Sequence, residues 1–198
     1  GLEVIARVGT YGPYVSLGRF PKMPMASSPG GQLLNLPLHK KELKVALAYM
    51  RCMTEQPDDE SVRQAVKNPK RGIGEAAIKR LAEYGKENGI SLLEAFEQAK
   101  KAGSSAPALK AIRSFLKLRN SISDMRDSDA PTALQSCLEQ SGYMGELRSE
   151  DKEERLANIN SLIKVANEFD NVVELVVELD RIDELKSQPK PKTASLFD

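Results

Sequence analysis

The residues best suited to chemistry lie in Val66-Lys67-Asn68-Pro69-Lys70-Arg71-Gly72-Ile73-Gly74. Two glycines one residue apart, just before a helical pattern, let the backbone come close to a partner with no Cβ in the way. The N–H groups that open the following helix have no partner within it and carry partial positive charge. Such a helix start suits a phosphate. Ile73, between the glycines, can anchor the turn in a core. Lys67, Lys70, Arg71 and Lys79 supply charge on both sides. A Gly-Ile-Gly hairpin between two helices with basic flanks has the logic of helix-hairpin-helix duplex binding. It grips phosphates, reads no bases, and is therefore indifferent to sequence. On these residues alone, the segment also reads as a tight turn between helices.

Other chemistries lack their parts. There is no G-x-x-x-x-G-K-S/T phosphate loop, since the only Gly-Lys pair is Gly85-Lys86, followed by Glu87. The single histidine, His39, follows a proline-containing stretch with no acid set to orient it, and reads as an exposed residue at a helix start. Cys52 and Cys137 each follow an apolar helical rhythm, as reduced core thiols do, and do not form a pair at metal spacing. The run Glu150, Asp151, Glu153, Glu154 suits a solvated helix start better than acid–base catalysis. No catalytic residue, metal or cofactor is expected on this chain.

The elements that must position the loop are legible as helices. Residues 1–20 read as a small β element, a short hairpin built on Val4, Ile5, Val8 and Val15 among Gly9, Gly12 and Pro13. Residues 21–37, rich in Pro, Ser and Gly, read as a linker. Residues 38–187 read as helical almost throughout, and 188–198 as an extended tail. The fold class is mainly α. Leu43, Ala46, Leu47 and Met50 give one apolar face of a first helix. Asp58 or Asp59 caps a short helix near Glu60–Lys67, and Asn68-Pro69 ends it. A helix from Gly74 carries Ala77, Ile78, Leu81 and Tyr84 and stops near Asn88-Gly89. Ser91 and Glu94 form a capping box, and 103–107 starts a longer helix. Pro131 sits in the first turn of a helix over 130–141, and 141–147 reads as a turn. The last two helices span 151–169 and 171–187. Val172, Val173, Leu175, Val176, Val177 and Leu179 there either close the core, the preferred reading, or form a docking stripe.

The 198 residues carry a formal net charge of only +1, so the chain as a whole is not a basic nucleic-acid binder. The charge is nevertheless uneven. Residues 61–80 hold six basic residues against Glu75 alone, whereas 146–184 hold five basic and twelve acidic ones. A duplex would touch the first region and avoid the second. With 40% apolar residues the chain can build a core, and it has no apolar run near the ~20 residues that cross a bilayer. The start, GLEVIARV, lacks the pattern of a signal peptide. A cytoplasmic location without membrane contact is expected.

Five segments carry a resemblance. ELKVALAYMRCM (42–53), NPKRGIGEAAIKRL (68–81), SLLEAFEQA (91–99), SGYMGEL (141–147) and EERLANINSLIKVANEF (153–169) resemble, in order and spacing, the 2B accessory subdomain of UvrD/PcrA/Rep-type superfamily 1 DNA helicases. The resemblance covers residues of about 40–170 and implies a mostly helical insertion in the second motor half of an ATP-dependent 3′→5′ helicase. It implies that Arg71, Gly72, Ile73 and Gly74 contact double-stranded or junction DNA, and that the helicase motor domains are partners. Lys70 stands where the family often has Thr. The ATP-binding motifs are missing, so the chain itself carries no motor. The flanks EVIARVGTYGPYV (3–15) and KPKTASLFD (190–198) resemble the two halves of a bacterial topoisomerase I C-terminal repeat, in which Arg7, Tyr11 and Tyr14 would stack on single-stranded DNA. The same stretch also reads as a hairpin tail packed on the helical body. The rival to DNA contact is a protein-docking domain that binds a partner or its own copy through the acidic C-terminal helices.

Overall fold

A computed structural model describes residues 4–9, 12–17, 29–148 and 153–187. The expected 188–198 tail with its topoisomerase-like segment at 190–198, residues 21–28 of the linker, and Tyr11 lie outside the described residues. Two strands, β1 (Val4–Gly9) and β2 (Gly12–Leu17), pair antiparallel with Val4 opposite Leu17 and Gly9 opposite Gly12. The rest is helical. In chain order the helices are α1 (Pro29–Leu34), α2 (Lys41–Met53), α3 (Asp59–Lys67), α4 (Glu75–Asn88) and α5 (Leu92–Glu97). They continue with α6 (Ala106–Ser123), α7 (Ala130–Gln140), α8 (Tyr143–Arg148), α9 (Glu153–Ala166) and α10 (Val172–Ser187).

The punctuation read from the sequence acts locally and appears as such. Asp58 caps α3 by accepting from the Ser61 N–H at 2.8 Å. Ser91 and Glu94 close a reciprocal capping box on α5. Asp129 caps α7 by accepting from Thr132, with Pro131 in its first turn. Gly89 ends α4 in the left-handed region, φ +65°, which a side chain adopts only at a cost.

α2 lies at the centre. It packs against α3, α6, α7, α9 and α10. The single apolar face expected for it is therefore too narrow: Val45, Ala48, Tyr49, Cys52 and Met53 are buried as well, and so is Glu42. A helix surrounded by other helices must be apolar nearly all round. Each of its large side chains contributes about 1.5–3 kcal/mol by burial. Glu42 is tolerated because its carboxylate accepts from Asn158 on α9 at 2.7 Å. Arg51, half-buried, pairs with Asp180 on α10 at 2.8 Å. The Leu92 N–H donates to Asp59 at 2.7 Å, which fixes α5 on the start of α3. Phe96 and Phe115 meet edge-on at 5.9 Å and join α5 to α6.

Two stretches differ from their sequence reading. The 21–37 linker is helical over Pro29–Leu34, with Leu33 fully buried and α1 packed on α9 and α10. The turn expected at 141–147 is confined to Ser141-Gly142, and Tyr143–Arg148 is helical because Tyr143, Met144 and Leu147 share one buried edge. α10 closes the core. Val172, Leu175, Val176 and Leu179 are all buried, so most of the supposed docking stripe is internal, and Val177 alone among the described large apolar residues stays exposed.

The polar centre of the core is Tyr49. Its hydroxyl donates toward the carbonyls of Ala65 (2.9 Å) and Asn68 at the end of α3, and accepts from Arg71. Burial raises its pKa from the ordinary 10.0 to about 12, against the lowering effect of the Arg71 charge and hydrogen bond. Burial likewise raises Cys52 from 9.0 to about 12.

The α10 burial predicts that Val176→Asp destabilises the chain by at least about 3 kcal/mol in chemical denaturation, while Val177→Asp shifts it by no more than about 0.5 kcal/mol. A Val176→Asp chain that kept its stability and merely lost an oligomer would contradict the packing. Tyr49→Phe should cost about 1–3 kcal/mol at neutral pH by stranding its partners. The raised pKa values of Tyr49 and Cys52 mean that the unfolded chain ionises first. Stability is then full below about pH 9 and falls as pH rises through 9–12. In Tyr49→Phe the fall between pH 10 and 12 should be shallower, which denaturation across that range will read.

Candidate nucleic-acid interface

The candidate loop, residues 68–74, joins α3 to α4. Its entry is held from below. Besides the Tyr49 contacts, the Asn68 side-chain amide donates back to the Gln64 carbonyl at 3.0 Å and closes the end of α3. Pro69 lies against the second turn, 3.8 Å from where a Cβ on Gly142 would stand. Gly142 itself has φ +79°. The two turns, 68–74 and 141–142, are thus neighbours.

The seven residues singled out from the sequence divide into two groups. Arg71 and Ile73 face inward. Arg71 is half-buried, its guanidinium 6.0 Å from the centre of the Tyr49 ring, and it donates both to the Tyr49 hydroxyl and to the Ser141 carbonyl at 2.9 Å. Both bonds come from Nη2, which ties the guanidinium to the two groups that fix the loop, while Nε is buried without a partner. Ile73 is 8% exposed and joins the core cluster. Between and beside them, Lys67, Lys70, Gly72, Gly74 and Lys79 face solvent.

The glycines differ in their reasons. Gly72 has φ +78°, so its backbone requires glycine. Gly74 has φ −70° and ψ 157°, which any residue adopts, and a Cβ there would meet nothing within 4 Å. Gly74 is the N-cap of α4 and offers no side chain to cap it. No side chain therefore caps the start of α4, where the Ala77 N–H turns back to the Gly74 carbonyl at 3.0 Å.

The surrounding charges are held loosely. Lys67 pairs with Glu75 at 2.8 Å, and Lys79 with Glu83 at 3.9 Å, all largely exposed. Such pairs are worth little in water. Lys70 stands exposed between them in sequence, at the loop. Arg80, one residue after Lys79, donates to the Gly103 carbonyl at 2.9 Å and so ties α4 to the turn before α6.

Tyr49 and Ser141 were not singled out from the sequence as parts of this loop, and Asn68 was read only as a member of the segment that ends the preceding helix. A signal existed for the first: a tyrosine inside an apolar helix brings a hydroxyl that must find a partner. Nothing local pointed to Ser141, seventy positions from Arg71. His39 is exposed, as expected, and lines a cavity of about 540 Å³ with Lys44, Arg51 and Asp58, away from the loop in sequence.

Comparison with known proteins places these features in a family. Residues 38–187 match the UvrD-like helicase C-terminal domain. The ATP-dependent DNA helicase PcrA of Bacillus subtilis (strain 168) is 29% identical over 171 residues, 78% of this chain and 23% of that protein. The ATP-dependent DNA helicase UvrD1 of Mycobacterium leprae (strain TN) is 34% identical over 135 residues, 65% of this chain and 17% of that protein. UvrD1 of Mycobacterium tuberculosis (strain ATCC 25618 / H37Rv) is 33% identical over 151 residues, 73% of this chain and 20% of that protein. The chain therefore spans roughly a fifth of the length of these relatives. Since the matched region takes in the helical body from just before α2 to the end of α10, the chain belongs to the UvrD-like helicase C-terminal domain family.

Proposed function

We propose that this chain is the 2B-like accessory region of an ATP-dependent 3′→5′ DNA helicase and grips the phosphate backbone of double-stranded or junction DNA without reading sequence. The contact is the α3–α4 turn, used as a helix-hairpin-helix element. Lys70 and the open start of α4 meet phosphate, Lys67 and Lys79 flank it, and Gly72 and Gly74 let it come close. Ile73 anchors the turn and Arg71 holds it from beneath. The motor domains of the parent protein are the second partner, and ATP chemistry belongs to them. The N-terminal strands and the topoisomerase-like flanks carry no part of this role.

One observation carries the reading. Neither conformation nor packing requires glycine at position 74, while an external group approaching the start of α4 would. A protein-docking role through α10 has lost its apolar stripe to the core.

Gly74→Asp separates folding from binding. Aspartate is among the best N-caps, so thermal stability should hold or rise by a few tenths of a kcal/mol. A carboxylate at the phosphate seat should weaken duplex binding roughly tenfold, about 1.4 kcal/mol. Fluorescence anisotropy with a labelled duplex at low salt reads the second effect; unchanged affinity would sink the loop role. Lys70→Ala should weaken binding equally for unrelated sequences and lower the salt slope by about one. Dependence on sequence would argue against a backbone grip.

A further inference from the structure

α6 carries a second charged surface. Residues 98–123 contain no Asp or Glu and six basic residues. The fold sorts these as it sorts those around the loop. Arg119 is half-buried and donates to the Thr54 carbonyl at 2.9 Å, a structural tie between α6 and the end of α2. Lys110, Arg113 and Lys117 are exposed, three and four residues apart, and so share one face of the helix. Among the described residues none of the three meets a carboxylate within ion-pair distance. Other exposed helices differ. α4 sets Lys79 against Glu83, and α10 sets Arg181 against Glu178. Like charges at this spacing oppose the helix that carries them. An ordinary solvated face mixes signs, whereas this one keeps three cations together with the exposed hydroxyl of Ser114.

We infer that Lys110, Arg113 and Lys117 form a second contact for the phosphate backbone of duplex DNA. The inference rests on the duplex-binding role proposed for the α3–α4 turn and extends it. The three charges span about 10 Å along the helix axis. A duplex carries one negative charge per about 1.7 Å of its own axis, so such a stripe finds phosphates in any register. Arg80 links the two surfaces: it lies on α4, six residues past Gly74, and bonds Gly103, three residues before α6 begins. Exposed Lys100 and Lys101 lie in the same turn.

The test uses the whole chain with Lys110→Gln, Arg113→Gln and Lys117→Gln combined. Glutamine is a good helix former and the sites are exposed, so circular dichroism should match the parent. The charge-keeping set Lys110→Arg, Arg113→Lys, Lys117→Arg serves as control. Anisotropy of a labelled blunt-ended duplex is followed across salt concentrations. The neutral set should lower the log–log salt slope by roughly 2 to 3 and weaken binding by about tenfold or more, while the control set keeps both. An unchanged slope in the neutral set, with Gly74→Asp still weakening the complex, would overturn the second contact and leave the first. A parent chain with no salt-sensitive duplex binding would overturn both. Self-association of the parent that disappears in the neutral set, with duplex binding intact, would also overturn it and assign the stripe to the acidic helices of a second copy.

Discussion

The hydroxyl of Tyr49 is the constraint from which the surface loop takes its shape. It stands in the middle of the most buried helix, where an unmatched polar atom would be costly. Its partners come from three directions: the closing carbonyls of α3, the guanidinium of Arg71, and through Arg71 the carbonyl of Ser141. Once these are matched, the chain leaving α3 has little freedom. Arg71 is held inward, Ile73 drops into the core two residues later, and Gly72 between them must turn outward with positive φ. The outward face of the loop is thus a consequence of an inward hydrogen-bond network.

The sequence revealed most of the helical plan because helix ends are local chemistry. Asp58, Ser91 with Glu94, Gly89 and Asp129 each act within four residues of themselves, so their positions alone indicate the boundaries. α1 and α8 were not legible for the opposite reason. A six-residue helix has no independent stability, and PGGQLL is a poor helix former; α1 and α8 form where Leu33 and the Tyr143 edge find the core. At the candidate site, the glycines and lysines were legible as types. The inward turn of Arg71 was not, because its partner Ser141 is remote in the chain. A charge count treats all basic residues alike, and only packing separates those that hold the fold from those that face water.

That separation recurs. Arg71 and Arg119 are half-buried and donate to backbone carbonyls, and Arg51 pairs with Asp180 between α2 and α10. Lys70, Lys79, Lys110 and Lys117 are exposed. Guanidinium groups present several fixed donors and tolerate partial burial, whereas ammonium groups keep their hydration. The net charge of +1 hides this arrangement. Arginine charge largely serves cohesion, and lysine charge remains at the surface where an external anion can meet it. The acidic α9 and α10 lie on other helices, and the apolar residues of α10 that would have made a sticky surface are used in closing the core.

Rigidity of the loop bears on how well weak contacts can add up. A flexible basic segment that grips phosphate must first order its backbone, at about 1–2 kcal/mol per residue. Here that ordering belongs to folding, because Tyr49, Arg71 and Ile73 fix the turn before any ligand arrives. What remains is to orient a few lysine side chains. The exposed pairs that occupy Lys67 and Lys79 are worth less than about 1 kcal/mol, so they yield readily to phosphate. Pre-organised backbone with loosely held charge gives many small, interchangeable contacts. That combination, with the polar network beneath the loop and not on it, is what the proposed grip on duplex of any sequence calls for.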